Sequence, residues 1–241
     1  FPIAWSDVLE VLPSDNGFSL NIYGISIDTE AEKNLCTKAF CLLEKEFKLP
    51  AVHIYLQKNV PFGAGLGGGS SNAAFTLIAL NKLFGLNLSK EDLASWASVV
   101  GSDCAFFIHN QPMIATEKGD ILEPININLS GYELLIVKPS IAINTAQAYS
   151  EITPKQPAAS LKDIISSDVK QWKDALVNDF ESSIFSSFPE LVEVKQQLYN
   201  SGALYASMSG SGSALFGIFE RVTPDIKNVF NKYVCFHQRL E

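Results

Sequence analysis

Pro61-Phe62-Gly63-Ala64-Gly65-Leu66-Gly67-Gly68-Gly69-Ser70-Ser71-Asn72-Ala73-Ala74 packs five glycines into the seven residues 63–69, directly ahead of a helical pattern running to Phe84. Glycine lets the backbone take up conformations closed to other residues and approach a ligand closely. Amides at a helix start carry the positive end of the helix dipole, so this stretch predicts an anion site that needs no charged side chain. A hinge needs one or two glycines, not five abutting Ser-Ser-Asn-Ala-Ala. Gly63-x-Gly65-x-x-Gly68 also fits the dinucleotide fingerprint, but a Rossmann unit would continue into a second parallel strand ending in an acidic residue, and here another helix follows. A P-loop needs lysine where Gly69 stands, which excludes that class too.

Outward from the loop, residues 18–27 alternate like a strand, and 31–47 form a helix with Leu35, Ala39, Leu42, Leu43 and Phe47 on one face. Residues 52–57 predict a short strand leading into the glycines. Ser89-Lys-Glu-Asp92 matches a capping box and starts a helix through Val100, so Asp103 falls at a helix end. Further on come a strand at 132–138, a short helix at 145–151, a proline-bearing linker or mobile loop at 153–160, and helix-like segments over 160–187. A helix from Pro189 to Asn200, strands at 203–208 and 213–219, a helix over 224–233 and a strand at 234–238 complete the chain. From residue 132 the order β-α-β-β-α-β is the split βαβ, ferredoxin-like arrangement. The expectation is an α+β chain of two domains, 1–130 and 131–241.

The 241 residues are 47% hydrophobic and 18% charged, the balance of a globular protein, and no apolar run reaches the roughly 20 residues of a membrane span. A formal net charge of -8 repels duplex nucleic acid, so the expected partner is a small molecule, with neither nucleic acid nor membrane. Arginine occurs only at 221 and 239, which leaves lysines, amides or a metal to hold phosphate. Cys36, Cys41, Cys104 and Cys235 show no zinc or redox spacing, and Phe1 to Val11 has neither the basic start nor the cleavage site of a signal peptide. A cytoplasmic protein is expected, as a monomer or a homodimer. His53, His109 and His237 are isolated from one another and are assigned no chemistry.

The quoted loop resembles the phosphate-binding motif Pro-x3-Gly-Leu-Gly-Ser-Ser-Ala-Ala of the GHMP kinases. Its extra glycine and the Asn72 before Ala-Ala resemble the branch of that family whose substrate is a cytidine diphosphate-linked methylerythritol. Ser207-Met208-Ser209-Gly210-Ser211-Gly212-Ser213 resembles the family's C-terminal motif, which folds over the phosphate loop, although read alone it is a β-turn. Lys33-Asn34-Leu35, Gly101-Ser102-Asp103, 117–122, 139–149 and Asn178-Asp179-Phe180-Glu181 extend the resemblance over nearly the whole chain.

The resemblance implies the two-domain GHMP kinase fold, a ribosomal protein S5 domain 2-like N-terminal domain with a ferredoxin-like C-terminal one, and transfer of the ATP γ-phosphate to the substrate's 2-hydroxyl. Asp103 would be the catalytic base, although its neighbours read Gly-Ser-Asp-Cys-Ala where the family has Gly-Ala-Asp-Val-Pro. Asn34 and Lys58 would lie near the adenosine, Pro61 would belong to the ATP site, and Gly63 to Ser71 would bind phosphate. Thr145, Tyr149, Ser209 and Gly210 would line the substrate side, with Tyr149 stacking on cytosine. ATP and Mg²⁺ are the implied cofactors, and Ser71 is the weakest assignment, as a metal ligand. For Lys58 a solvated strand end, and for Tyr149 an ordinary core aromatic, are the alternatives. The family's opening Pro-Ala-Lys-Ile/Leu-Asn and Gly-Tyr-His turn do not precede Phe1, so these 241 residues alone are expected to phosphorylate poorly. Another GHMP kinase, acting on homoserine, mevalonate or a sugar, and a nucleotide-binding module without catalysis remain as alternatives.

Overall fold

The computed structural model describes residues 1–26, 31–150, 152 and 159–241. The expected end of the first strand at 27, residue 151 of the short helix and most of the 153–160 linker lie outside the described residues. Two compact units result: Phe1–Phe62 with Gly67–Asn126, and Gly63–Leu66 with Ile127–Glu241.

In the first unit the elements run β1 (Val8–Pro13), β2 (Ser19–Gly24), α1 (Leu35–Phe47), β3 (Val52–Lys58), α2 (Gly68–Leu83), α3 (Lys90–Val100), α4 (Cys104–His109), β4 (Met113–Thr116) and β5 (Ile121–Pro124). The sheet order is β1-β3-β2, with β1 antiparallel and β2 parallel to β3, while β4 and β5 form a hairpin. Alternation drives β3: Val52, Ile54 and Leu56 point into the core at every second residue, and the next inward position is Lys58. The α1 helix starts where Asn34 Oδ1 accepts the Cys36 N–H at 2.9 Å. Its buried stripe is Cys36, Ala39, Phe40 and Leu43, one position round from the expected face, with Leu35, Leu42 and Phe47 only partly covered. The capping box at Ser89 forms in both directions, Ser89 Oγ accepting from the Asp92 N–H at 3.0 Å and Asp92 accepting from the Ser89 N–H at 2.9 Å. Helices α1 to α4 share one core with the sheet, centred on Phe40, Leu43, Leu77 and Leu80.

The second unit runs β6 (Glu133–Lys138), α5 (Thr145–Ser150), α6 (Leu161–Ile165), α7 (Trp172–Ala175), α8 (Phe180–Ser187), α9 (Pro189–Asn200), β7 (Tyr205–Met208), β8 (Leu215–Phe219), α10 (Ile226–Val229) and β9 (Val234–Arg239). Its sheet order β7-β8-β6-β9, antiparallel throughout, is the ferredoxin-like order that the β-α-β-β-α-β count implied. One expectation is corrected. The helix over 224–233 shrinks to one turn, because Ile226 and Phe230 bury themselves four residues apart and the Tyr233 N–H then bonds Phe230 O at 3.0 Å. The 160–187 stretch forms the expected helical segments, separated where Asp168 and Asn178 use their side-chain oxygens on backbone N–H groups two residues on.

Candidate active site

The glycine-rich stretch divides between the units, and each part is held by its own surroundings. In the first unit, Gly67 takes the left-handed conformation at φ 68° and starts α2 with no side chain capping it. The first internal bond of α2 is Ser71 N–H to Gly67 O at 2.9 Å, so among the described residues the N–H groups of Gly68, Gly69 and Ser70 have no backbone or side-chain acceptor. Gly69 is exposed, and Pro61, Ser70 and Ser71 are partly covered. Three free amides at the positive end of a sixteen-residue helix make a strong anion cradle.

Helix α4 packs against this start. A Cβ on Gly67 would stand 2.7 Å from the Phe107 ring, which explains the glycine there. Asp103, at the N-cap position of α4, is thereby placed beside the first turn of α2. Among the described residues its carboxylate caps nothing and accepts only a 3.3 Å bond from Ser102 Oγ, and it is exposed; a Cβ on Gly119 would lie 4.0 Å from Oδ1, so the β4–β5 turn flanks it. Such a carboxylate has lone pairs open to an incoming donor. Cys104 and Cys36 are both pushed up to about 11 by burial, which leaves these thiols protonated and inert.

Lys58 is not a solvated strand end. Its Nζ pairs with Asp7, the two side chains being 2% and 4% exposed, and it lies 3.4 Å from where a Cβ of Gly68 would sit. Asp7 Oδ1 also accepts the Asn59 N–H at 2.7 Å and the Val60 N–H at 2.9 Å. Burial raises the Asp7 carboxyl pKa, but the bonds from Lys58, Val60 and Asn59 outweigh it and hold the group below its ordinary value. Asp7 escaped the sequence reading; the inward place of Lys58 in the β3 alternation, which demands a counter-charge, was the signal that marked it. Asn34 spends its side-chain oxygen on the α1 cap.

In the second unit, Gly63 to Leu66 lies on the turn between β7 and β8. Ser209 Oγ donates to Gly65 O at 2.8 Å, and the Ala214 N–H donates to Ala64 O at 3.1 Å. A Cβ on Gly65 would stand 2.1 Å from Ser209 O and 2.9 Å from Gly212 O, so only glycine fits. Gly210 sits in the left-handed region at φ 53°, its own Cβ position 3.2 Å from Gly65 O. On α5, Thr145 Oγ1 and Ser211 Oγ are 3.4 Å apart, and Tyr149 is 65% exposed with Phe180 edge-on at 4.9 Å. Tyr149 is therefore no core aromatic; one ring face is open for stacking.

Among the described residues no group of three His, Cys, Asp or Glu side chains stands ready to hold a metal ion. The oxygens near the cradle are single hydroxyls and one carboxylate, a donor set that suits an ion carried by a nucleotide's phosphates and not a resident one.

A family model described as GHMP kinases N terminal domain matches residues 34–111, and one described as GHMP kinases C terminal matches 160–233. A 4-diphosphocytidyl-2-C-methyl-D-erythritol kinase from Bacteroides fragilis is 46% identical over 244 residues, covering 100% of this chain and 89% of its own length. The protein of the same name from Bacteroides thetaiotaomicron is 48% identical over 223 residues, covering 91% of this chain and 81% of its own. A crystal structure of 4-(cytidine 5'-diphospho)-2C-methyl-D-erythritol kinase superposes with a TM-score of 0.78 at 29% identity, over 96% of this chain and 84% of that one. A homoserine kinase from Cytophaga hutchinsonii reaches 0.73 at 19% identity and shares the fold.

Proposed function

The chain belongs to the GHMP kinase family, and from that premise we propose that it moves the γ-phosphoryl group of ATP onto the 2-hydroxyl of 4-diphosphocytidyl-2-C-methyl-D-erythritol, a step of isoprenoid precursor synthesis. The observation that carries the proposal is the uncapped amide cradle at Gly68, Gly69 and Ser70, beside an exposed Asp103 carboxylate, in a chain nearly half identical to kinases of that name.

Phosphoryl transfer needs held phosphates, neutralised charge and a group to receive the hydroxyl proton. The amides and dipole of α2 bind the phosphates. Asp103 accepts the proton of the 2-hydroxyl as its oxygen bonds to phosphorus and the γ-phosphoryl leaves ADP. The Ser71 hydroxyl would help to hold a Mg²⁺ ion brought in with the nucleotide, and such an ion would supply neutralising charge to the phosphates. Lys58, balanced by Asp7, puts a positive charge behind Gly68 without needing arginine. Tyr149 stacks on the cytosine, and Thr145 and the Ser209-Gly210 turn face the acceptor. ATP and nucleotide-linked acceptors belong to the cytoplasm, which is the proposed location.

The test is ADP release with the cytidine-linked acceptor set against homoserine, mevalonate and free sugars. Whatever the rate, turnover is expected to need the cytidine; equal turnover without it defeats the proposal. Asp103→Asn is expected to lower kcat by about 10²–10⁴ with little change in ATP affinity. Tyr149→Ala is expected to weaken acceptor binding by about 1–3 kcal/mol, read from its KM.

A further inference from the structure

The turn from Ser207 to Ser213 has its conformation imposed from α8. We infer that Asn178 and Glu181 are positioning residues for ATP, fixing this turn and through it the tip of the phosphate loop at Gly65, which neither residue touches. The inference rests on the proposed ATP-binding role of that loop.

Asn178 precedes α8, and its Oδ1 accepts the Phe180 N–H at 2.9 Å, which sets the orientation of its amide. Both hydrogens of Nδ2 are then directed at carbonyls of the turn, Met208 O and Gly210 O, each at 2.8 Å. Glu181, in the first turn of α8 and 7% exposed, accepts the Met208 N–H at 2.8 Å and the Ser207 hydroxyl at 3.1 Å through Oε1. Its Oε2 receives Lys195 Nζ at 2.5 Å. The N–H and the C=O of Met208 are thus gripped by two side chains 27 and 30 residues away, where strand β7 gives way to the turn.

One residue beyond Met208 comes Ser209. Its N–H bonds Ala214 O at 2.8 Å, its carbonyl accepts the Gly212 N–H at 2.9 Å, and its hydroxyl bonds Gly65 O at 2.8 Å. The seat is tight, because the Cβ position of Gly65 is only 2.1 Å from Ser209 O. A shift of Ser209 by a few tenths of an ångström therefore either stretches the bond to Gly65 O or presses on its Cα. Oriented amides lose anion affinity when displaced by comparable amounts, so Asn178 and Glu181 bear on ATP binding through Gly65.

If the two residues merely capped α8, their loss would lower stability and leave the ATP affinity of the folded protein alone. Asn178→Asp separates these roles: it keeps the oxygen that caps Phe180, removes both donors and sets a carboxylate oxygen against two carbonyls. It is expected to raise the Kd for ATP, measured calorimetrically without acceptor, by about tenfold, the worth of roughly one to two lost hydrogen bonds. Glu181→Ala should repeat the ATP defect, while Glu181→Gln, which retains an acceptor for Met208 and Ser207, should restore affinity to within about twofold of the original. Unchanged ATP affinity in Asn178→Asp and Glu181→Ala, or a loss in Glu181→Gln as large as in Glu181→Ala, would overturn the inference. An unaltered chain that failed to bind ATP would remove the proposed function as well, so the two failures are told apart by the unaltered protein alone.

Discussion

Each unit contains a lysine-bound carboxylate that also accepts hydrogen bonds beside a glycine-rich turn, and the two differ in what surrounds the lysine. In the first, Asp7 binds Lys58 and the N–H groups of Asn59 and Val60, and both side chains are sealed at 2% and 4% exposure. In the second, Glu181 binds Lys195 and grips Ser207 and Met208, but Lys195 is 24% exposed and runs along the Phe185 ring at 5.8 Å. An ammonium that loses its partner needs water. Lys195 reaches it by a rotamer change, whereas Lys58 is buried beside the start of α2. The same chemistry is a structural lock in one unit and an adjustable grip in the other.

The largest expected effect breaks that lock. Asp7→Ala leaves a buried unpaired lysine and should cost about 3–5 kcal/mol of unfolding free energy, against about 1–3 kcal/mol for Glu181→Ala, which loses hydrogen bonds but no stranded charge. Urea midpoints at unchanged slope measure both, and equal values would dissolve the distinction. Replacing both partners, Asp7→Leu with Lys58→Met, should recover most of the loss, because a filled apolar site has no charge to strand.

The glycines sharpen the comparison at a smaller scale. Gly65→Ala and Gly67→Ala each force an L-residue to positive φ, costing about 1–2 kcal/mol. At Gly65 the new methyl also meets the unyielding Ser209 carbonyl, while at Gly67 it meets only the edge of the Phe107 ring. ATP affinity should therefore fall further in Gly65→Ala, and Phe107→Ala should relieve Gly67→Ala alone. Titration gives the smallest effect. The Asp7 pKa lies below its ordinary 3.8, so the carboxylate's contribution is fully present above that value and is lost as pH falls through the lowered one. The stability gap between the unaltered chain and Asp7→Asn should hold from neutral pH down to about 4 and close below it; a gap that closed on raising the pH instead would contradict the sign.

The legible parts of this fold share a short range. Ser89 and Asp92 cap α3 within four residues, Pro189 opens α9 where expected, and the glycines announce an uncapped helix start. Helix α4 and the β4–β5 hairpin escaped notice because six- and four-residue elements are too short to display a period. The over-long helix at 224–233 was a periodic pattern that packing used for only one turn. At the candidate site, Asp103, the loop and the Asn178-Asp179-Phe180-Glu181 stretch were visible as motif residues, while Asp7 and what Asn178 and Glu181 hold were not, since nothing local shows which distant backbone groups a polar side chain meets.

The amino-acid sequence by itself determined where the backbone bends and where an anion can be met by amides, because glycine's torsional freedom and helix capping act within a few bonds of the chain. Only the tertiary structure decided which charge answers Lys58 and which side chains hold the second glycine turn. Those choices follow from strand register: Val8 opposite Gln57 sets Asp7 next to Lys58, and the return of β7 beside α8 sets Met208 against Glu181. Register is fixed by burying whole faces at once, and the partners it joins here, up to 144 residues apart, are invisible to any local pattern.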